Sequence, residues 1–170
     1  YELLLEVLNE DGQDIKGIYE RNDIKIRAKE GLSLEKGFWR NAHLPTTTII
    51  NENGILLHVD VENGQKTGYF LDQKANRVLL RKMAHGKKVL DCFSHTGGFA
   101  LNAAYGKAKE VHAVDVSQTA LNQAYENAKL NHLENKMRFI KDDVFDYLDK
   151  CKVGQYDIIV LDPPAFTKSR

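Results

Sequence analysis

Along the second half of the chain, short apolar runs alternate with segments of helical spacing. Val89 onward reads as a strand, a glycine-containing turn from Ser94 to Gly98 and a helix start near Ala100. Lys109 to Val116 reads as a second strand, Met137 to Val144 as a third, and Ile158 to Leu161 as a fourth. Between them lie helical patterns over Ala100 to Tyr105, Thr119 to Leu130 and Val144 to Cys151. The middle one places Leu121, Ala124, Tyr125, Ala128 and Leu130 at core spacing. Repeated strand–helix units predict an α/β fold with a parallel sheet and right-handed crossovers.

Each of these strands delivers a carboxylate at its carboxyl end: Asp91, Asp115, Asp143 and Asp162. In open α/β sheets that edge is where ligands bind. Pro163 and Pro164 cannot continue a sheet ladder, so Asp162 is held where the fourth strand stops. Asp-Pro is also a common plain turn, so this segment alone leaves both readings open. The small residues of the Ser94–Gly98 turn allow close approach of a ligand to the backbone. The turn is not G-x-G-x-x-G, and no Lys-Ser/Thr follows its glycines, so neither a dinucleotide fingerprint nor a phosphate-binding loop is satisfied. A nucleoside with a zwitterionic tail, S-adenosylmethionine, fits better. Its ammonium wants the oxygens of Asp91 and the turn. Its ribose hydroxyls want Asp115, and its adenine wants Asp143 and the Val144 amide. The predicted cofactor set is Asp91, Phe93, Ser94, Thr96, Gly97, Gly98, Asp115, Val116, Asp143 and Val144.

Five stretches carry a resemblance: Lys66-Thr-Gly-Tyr-Phe-Leu-Asp-Gln73, Asp91-Cys-Phe-Ser-His-Thr-Gly-Gly-Phe99, Val114-Asp-Val-Ser117, Asp142-Asp-Val-Phe145 and Asp162-Pro-Pro-Ala-Phe166. Each is weak singly and together they are specific. From about Lys66 to Arg170 the chain resembles class I S-adenosylmethionine-dependent methyltransferases, most closely the bacterial large-subunit ribosomal RNA cytosine-5 family. The resemblance implies a Rossmann-like sheet with strands in the order third, second, first, fourth. It implies methyl transfer to C5 of a cytosine that must be unstacked to enter the pocket. Asp162 would hold the target base as the catalytic carboxylate, with Pro163, Pro164 and Phe166 beside it. Family chemistry also uses a cysteine thiolate to attack C6, from a loop beyond a later strand. The chain is thus expected to be truncated at both ends and inactive alone. Guanine or adenine nitrogen methyltransferases also carry Asp-Pro-Pro and are the nearest alternative. A non-catalytic module of the same fold and a nicotinamide oxidoreductase are more distant ones.

The first part of the chain is organised differently. Tyr1 to Leu8 reads as an amphipathic helix, Ile15–Glu20 and Ile24–Arg27 as short strands, and residues 28 to 46 as a loop in which Trp39 is packed. Ile55–Val61 and Lys66–Leu71 read as a hairpin around Asn63-Gly64. This predicts a small α+β domain over 1–71 and the first part of a methyltransferase domain over 72–170. A helix follows from Asp72 to Gly86, with Leu71, Ala75, Val78, Leu79 and Met83 facing the core. Its basic residues would then face outward, making Arg77 and Arg81 candidates for RNA phosphate contact.

Composition changes little. The 170 residues are 42% hydrophobic and 28% charged, which fits a globular chain. The formal net charge is zero, which withdraws the easiest support for RNA binding. No apolar run approaches a membrane span and no signal pattern is present, so a cytoplasmic location is expected. Cys92 and Cys151 lack metal-ligand spacing and read as inert thiols, and no metal is expected. The expected partners are ribosomal RNA and, through an uncovered fourth strand, a second copy of the chain.

Overall fold

The N-terminal stretch is built from short elements. In the computed structural model, which describes residues 1–163, helix α1 spans Glu2–Glu10, strand β1 Tyr19–Asn22, helix α2 Lys25–Lys29 and strand β2 Glu35–Phe38. β1 and β2 pair antiparallel, with Tyr19 opposite Phe38 and Asn22 opposite Glu35. The Tyr19 and Phe38 rings meet edge to face at 4.9 Å. Strands β3 (Thr47–Glu52) and β4 (Ile55–Asp60) form a separate hairpin. Its turn is Asn53-Gly54, with φ of 53° and 86°. Asn-Gly tolerates two successive left-handed residues better than other pairs, which is why the chain reverses there.

The chain divides into two compact units, one formed by Tyr1–Thr48 with Val59–Tyr69, the other by Ile49–His58 with the chain from Phe70 onward. The tip of the β3–β4 hairpin therefore belongs to the second unit, and no single cut in the chain describes the division.

Three sequence expectations are corrected in this region. Ile24 to Arg27 is not a strand, because Lys25–Lys29 forms a helical turn. Ile24 and Ile26 alternate like strand residues but both stay exposed, and the neighbouring Lys25, Arg27 and Ala28 favour helix. The hairpin reverses at Asn53-Gly54 rather than Asn63-Gly64, and Lys66–Leu71 carries no strand. At the second Asn-Gly, the Asp60 carboxylate accepts the Glu62 and Asn63 amides, both at 2.9 Å, and makes a side-chain-capped turn instead. Finally, β2 lies within the stretch that reads as a loop.

The second unit continues with helix α3 (Lys74–Met83), β5 (Lys88–Cys92), α4 (Gly98–Tyr105), β6 (Glu110–Asp115), α5 (Gln118–Leu130), β7 (Met137–Lys141), α6 (Val144–Asp149) and β8 (Ile158–Leu161). The four strands form one parallel sheet in the order β7-β6-β5-β8, as the Rossmann-like reading requires. Val89 lies beside Val111 and Ile158, and Val111 beside Met137. The central strands bury Val89, Leu90, Val111, Ala113 and Val114 completely, which is why they read as near-continuous apolar runs. Leu101 of α4 and Leu121, Ala124 and Ala128 of α5 are buried with them.

Helix α3 presents the opposite face to the one expected. Arg77, Leu80 and Ala84 are buried, whereas Leu71, Leu79 and Met83 are more than half exposed. The cause is a buried ion pair. Arg77 Nε and Nη2 donate to Glu52 Oε1 and Oε2 at 2.7 and 2.8 Å, and Nη2 also reaches the Phe70 carbonyl at 2.8 Å. Arg81 donates to Asn102 Oδ1 and the Asn53 carbonyl, and its guanidinium lies 4.6 Å from the Tyr105 ring centroid. Both arginines are spent tying the hairpin and α4 to α3. Neither offers the free outward charge expected for RNA phosphate.

A buried pair broken on one side leaves an uncompensated charge. Arg77→Met should therefore lower stability in urea unfolding by about 3–5 kcal/mol. The double variant Glu52→Leu/Arg77→Met should recover most of that loss.

Candidate functional site

The carboxyl ends of β5, β6 and β8 and the start of α6 place Asp91, Asp115, Asp162 and Asp143 along one edge of the sheet. Each does something different there. Asp91 is 1% exposed, and its Oδ2 accepts the Ala100 amide of α4 at 2.9 Å. Burial pushes its carboxyl up to about 7, and the negative charges of Asp162 and Asp115 add to the rise. The buried Ser94 hydroxyl lies near this carboxylate and favours its charged form, yet it makes no hydrogen bond of good geometry.

Asp115 organises the turn between β5 and α4. Its Oδ2 accepts the His95 amide at 2.8 Å and its Oδ1 the Ser117 amide at 2.9 Å. Each oxygen keeps a lone pair for a further donor. Asp143 caps α6, with Oδ1 accepting the Phe145 and Asp146 amides at 2.8 and 3.3 Å. Its local task is thus helix capping, and Val144 behind it is buried in the sheet core. Asp162 is exposed and accepts a hydrogen bond from Gln73 Nε2 at 3.3 Å.

The turn itself is left-handed at alternate residues, with φ of 57° at Phe93, 50° at His95 and 83° at Gly97. Phe93 and His95 are strained there, a conformation that persists where the surroundings fix it and that clusters at ligand sites. A side chain at Gly97 would bring a Cβ within 3.0 Å of Ala124 Cβ, so the turn lies directly on α5. Thr96 and Gly98 complete it, Gly98 opening α4.

Several contributors escape sequence reasoning. Phe145 is 63% exposed and Val116 60%, two apolar side chains beside strand-end acids that the fold leaves uncovered. Val116 belongs to the expected set, whereas Phe145 does not, although it directly follows Val144. The Phe93 and Phe145 rings meet edge to face at 6.2 Å, and Phe70 stands edge-on to His95 at 5.6 Å. Gln73, in the Lys66–Gln73 stretch, had no individual signal.

Other expected residues fall elsewhere. Pro163 is exposed beside Asp162, and Pro164 and Phe166 lie outside the described residues. Cys92 is fully buried, with burial and the neighbouring Asp91 pushing its thiol up to about 12. Cys151 donates its thiol to the Tyr147 carbonyl. Among the described residues no group of three or more His, Cys, Asp or Glu could hold a metal, and no helix is long and apolar enough to cross a membrane. One cleft of about 380 Å³ lies by Gln118, Tyr125 and Phe139, and another of about 630 Å³ lies in the first unit. Neither is lined by the strand-end acids, so chemistry rather than cavity size marks the site.

Residues 35–170 match the model of the S-adenosylmethionine-dependent methyltransferase family. The chain belongs to that family. Class I S-adenosylmethionine-dependent methyltransferases share the parallel order of β5 to β8, and the cofactor of the family is S-adenosylmethionine. The chain is 47% identical over 156 residues to the ribosomal RNA large subunit methyltransferase I of Aeromonas salmonicida, covering 90% of this chain and 39% of that protein. It thus spans about two fifths of the curated relatives it matches. Among solved structures, SMU.776 complexed with SAH superposes with a TM-score of 0.70 at 34% identity, over 79% of this chain and 36% of that one. A tRNA m1G37 methyltransferase of M. jannaschii superposes with a TM-score of 0.62 at 27% identity, over 78% and 40%.

The raised pKa of Asp91 makes a prediction about the ligand-free methyltransferase. An acid whose folded value lies above its ordinary 3.8 contributes most to stability below that value and loses this contribution as pH rises toward about 7. Asp91→Asn, which keeps an oxygen for the Ala100 amide, lacks that loss. The variant should gain on the wild type between those two values in urea unfolding at stepped pH, and the difference should level off above them.

Proposed function

We propose that this chain holds S-adenosylmethionine along the strand edge, for methyl transfer to a base of large-subunit ribosomal RNA, with C5 of cytosine as the target. The observation that carries the cofactor site is the buried, cation-seeking Asp91 beside a strained turn and two uncovered apolar side chains. When bound, the cofactor supplies a methyl group activated by its sulfonium. The chain's own residues divide the remaining work. Asp91 and the Ser94–Gly98 turn receive the ammonium and carboxylate of the amino-acid tail. Asp115 accepts the ribose hydroxyls on the lone pairs left by His95 and Ser117. Val116 and Phe145 enclose the adenine, with Asp143 and the Val144 amide at its edge. Asp162, steadied by Gln73, orients the target base. The ribosomal RNA substrate is inferred from relatives that are longer than this chain.

A second reading is methylation of a guanine or adenine nitrogen, and the superposition on a tRNA m1G37 methyltransferase supports it. A ring nitrogen needs no thiolate, and no described thiol is placed to attack a base. Cys92 is enclosed by Leu90, Val114 and Val144. Cys151 follows the end of α6, at the opposite end of that helix from Asp143.

Two measurements test the proposal. Calorimetry with S-adenosylhomocysteine should show binding that releases a proton near pH 7 and strengthens as pH rises toward that value, because the tail ammonium takes the charged form of Asp91. Asp115→Ala should weaken it by about 1 kcal/mol or more for each ribose hydrogen bond removed. Unchanged affinity would remove Asp115 from the site. Incubation of this chain with labelled cofactor and unmodified ribosomal RNA should leave the RNA unlabelled. Label on a ring nitrogen would establish the second reading. Label at cytosine C5 that disappears in Cys92→Ser or Cys151→Ser would make that cysteine the nucleophile.

A further inference from the structure

The strained turn has few tethers. Within the backbone, Ser94 donates to the Val114 carbonyl at 3.0 Å and Gly97 to the Ser94 carbonyl at 2.9 Å. Asp115 holds the His95 amide at 2.8 Å. Those bonds fix the turn to β6 and to itself. A separate tether comes from α5. Asn127 is fully buried, and its Nδ2 donates to the Thr96 carbonyl at 3.1 Å. Its Oδ1 accepts the His58 amide of β4 at 2.9 Å. One turn further along α5, Asn131 treats β4 in the same way. Its Oδ1 accepts the Leu56 amide at 2.8 Å and its Nδ2 donates to the Leu56 carbonyl at 2.7 Å. The two asparagines together act as a substitute strand along the free edge of the hairpin, but only Asn127 continues to the turn.

We infer that Asn127 is a positioning residue for cofactor binding: its amide, buried between β4 and the turn, fixes the Thr96 carbonyl and thereby the left-handed His95–Gly97 backbone that receives the amino-acid tail. The argument rests on the proposed cofactor site. Its physical basis is that strained backbone persists only where it is over-determined. Ala124, one helical turn before Asn127, contributes by being small, since Gly97 approaches it at the limit of contact. A buried primary amide suits the task because it donates and accepts at once, and here both functions are used. A hydrophobic side chain would strand the Thr96 carbonyl and the His58 amide together.

The experiment separates positioning from general stability by using Asn131 as its control. Asn127→Ala, Asn127→Ser and Asn131→Ala are compared for melting temperature and for affinity toward two ligands. One is S-adenosylhomocysteine. The other is 5′-methylthioadenosine, which has the nucleoside without the amino-acid tail. All three variants should melt earlier than the wild type. The Asn127 variants should bind S-adenosylhomocysteine about five- to tenfold more weakly, as for loss of one hydrogen bond, and methylthioadenosine nearly as the wild type does. Asn131→Ala should bind both ligands as the wild type does. Equal weakening by Asn131→Ala, or equal weakening toward both ligands, would overturn the inference. Failure of the wild type to bind either ligand would instead count against the cofactor site. In that case amide hydrogen exchange decides the positioning role: His95–Gly98 should exchange faster in Asn127→Ser than in Asn131→Ala, and equal rates would reject it.

Discussion

The burial of one carboxylate governs the rest of the second unit. Asp91 ends a strand whose neighbours are fully enclosed, and the carboxylate shares that enclosure. A charge there is costly unless something positive or hydrogen-bonding meets it. Against the nearby Ser94 hydroxyl and a backbone amide from α4 stand burial and two further acids close enough to oppose ionisation. That imbalance cannot be relieved by repacking, because the parallel register of β5 between β6 and β8 fixes where Asp91 stands. In the proposed site, the cofactor's ammonium relieves it. The left-handed turn, with Gly97 packed against α5, and the uncovered Val116 and Phe145 all adjoin the same edge, as the proposed cofactor site requires.

Much of this was readable from the sequence because parallel strands covered on both faces are continuous apolar runs, and a polar residue ending such a run is conspicuous. Asp91, Asp115 and Asp162 stood out for that reason, whereas the strand order was implied by the family resemblance and not by the pattern itself. The turn was also legible, since small residues between a strand and a helix have few other uses. The face of α3 was not. Leu71, Ala75, Leu79 and Met83 recur at helical spacing and read as core, but Arg77 occupies the interior because Glu52, 25 positions earlier, neutralises it there. No periodicity can announce a buried ion pair between distant residues. The two Asn-Gly pairs posed a similar problem. Both suit a hairpin, and the choice between them was made by Asp60, whose carboxylate had already capped the second. Asn127 and Asn131 drew no reading from the sequence, because their partners are main-chain groups of a strand far away in sequence.

The apolar side chains left in the open divide into two kinds. Val116 and Phe145 stand beside strand-end acids, where the adenine of the proposed site has both a polar edge and two faces to satisfy. Leu79 and Met83 line α3, Leu71 precedes it, and Leu3, Leu4 and Val7 lie on α1; all are exposed without following a strand-end acid in the chain. Exposure alone therefore says little about function. The company of buried charge and strained backbone distinguishes the first pair.

The pairing of β8 bears on how the chain assembles. β5, β6 and β7 follow one another with a single helix between successive strands, so each can add to its predecessor soon after it forms. β8 instead crosses back to the opposite side of β5, and the Lys88 amide meets an Asp157 carboxylate 69 positions away. Loop closure over that distance must be met before the contact returns anything. During synthesis the three local strands can settle while the segment that ends in Asp162 is still emerging. The carboxylate assigned to the target base is then the last of the four to reach the edge, and the half of the site proposed for the cofactor can exist before the half proposed for RNA.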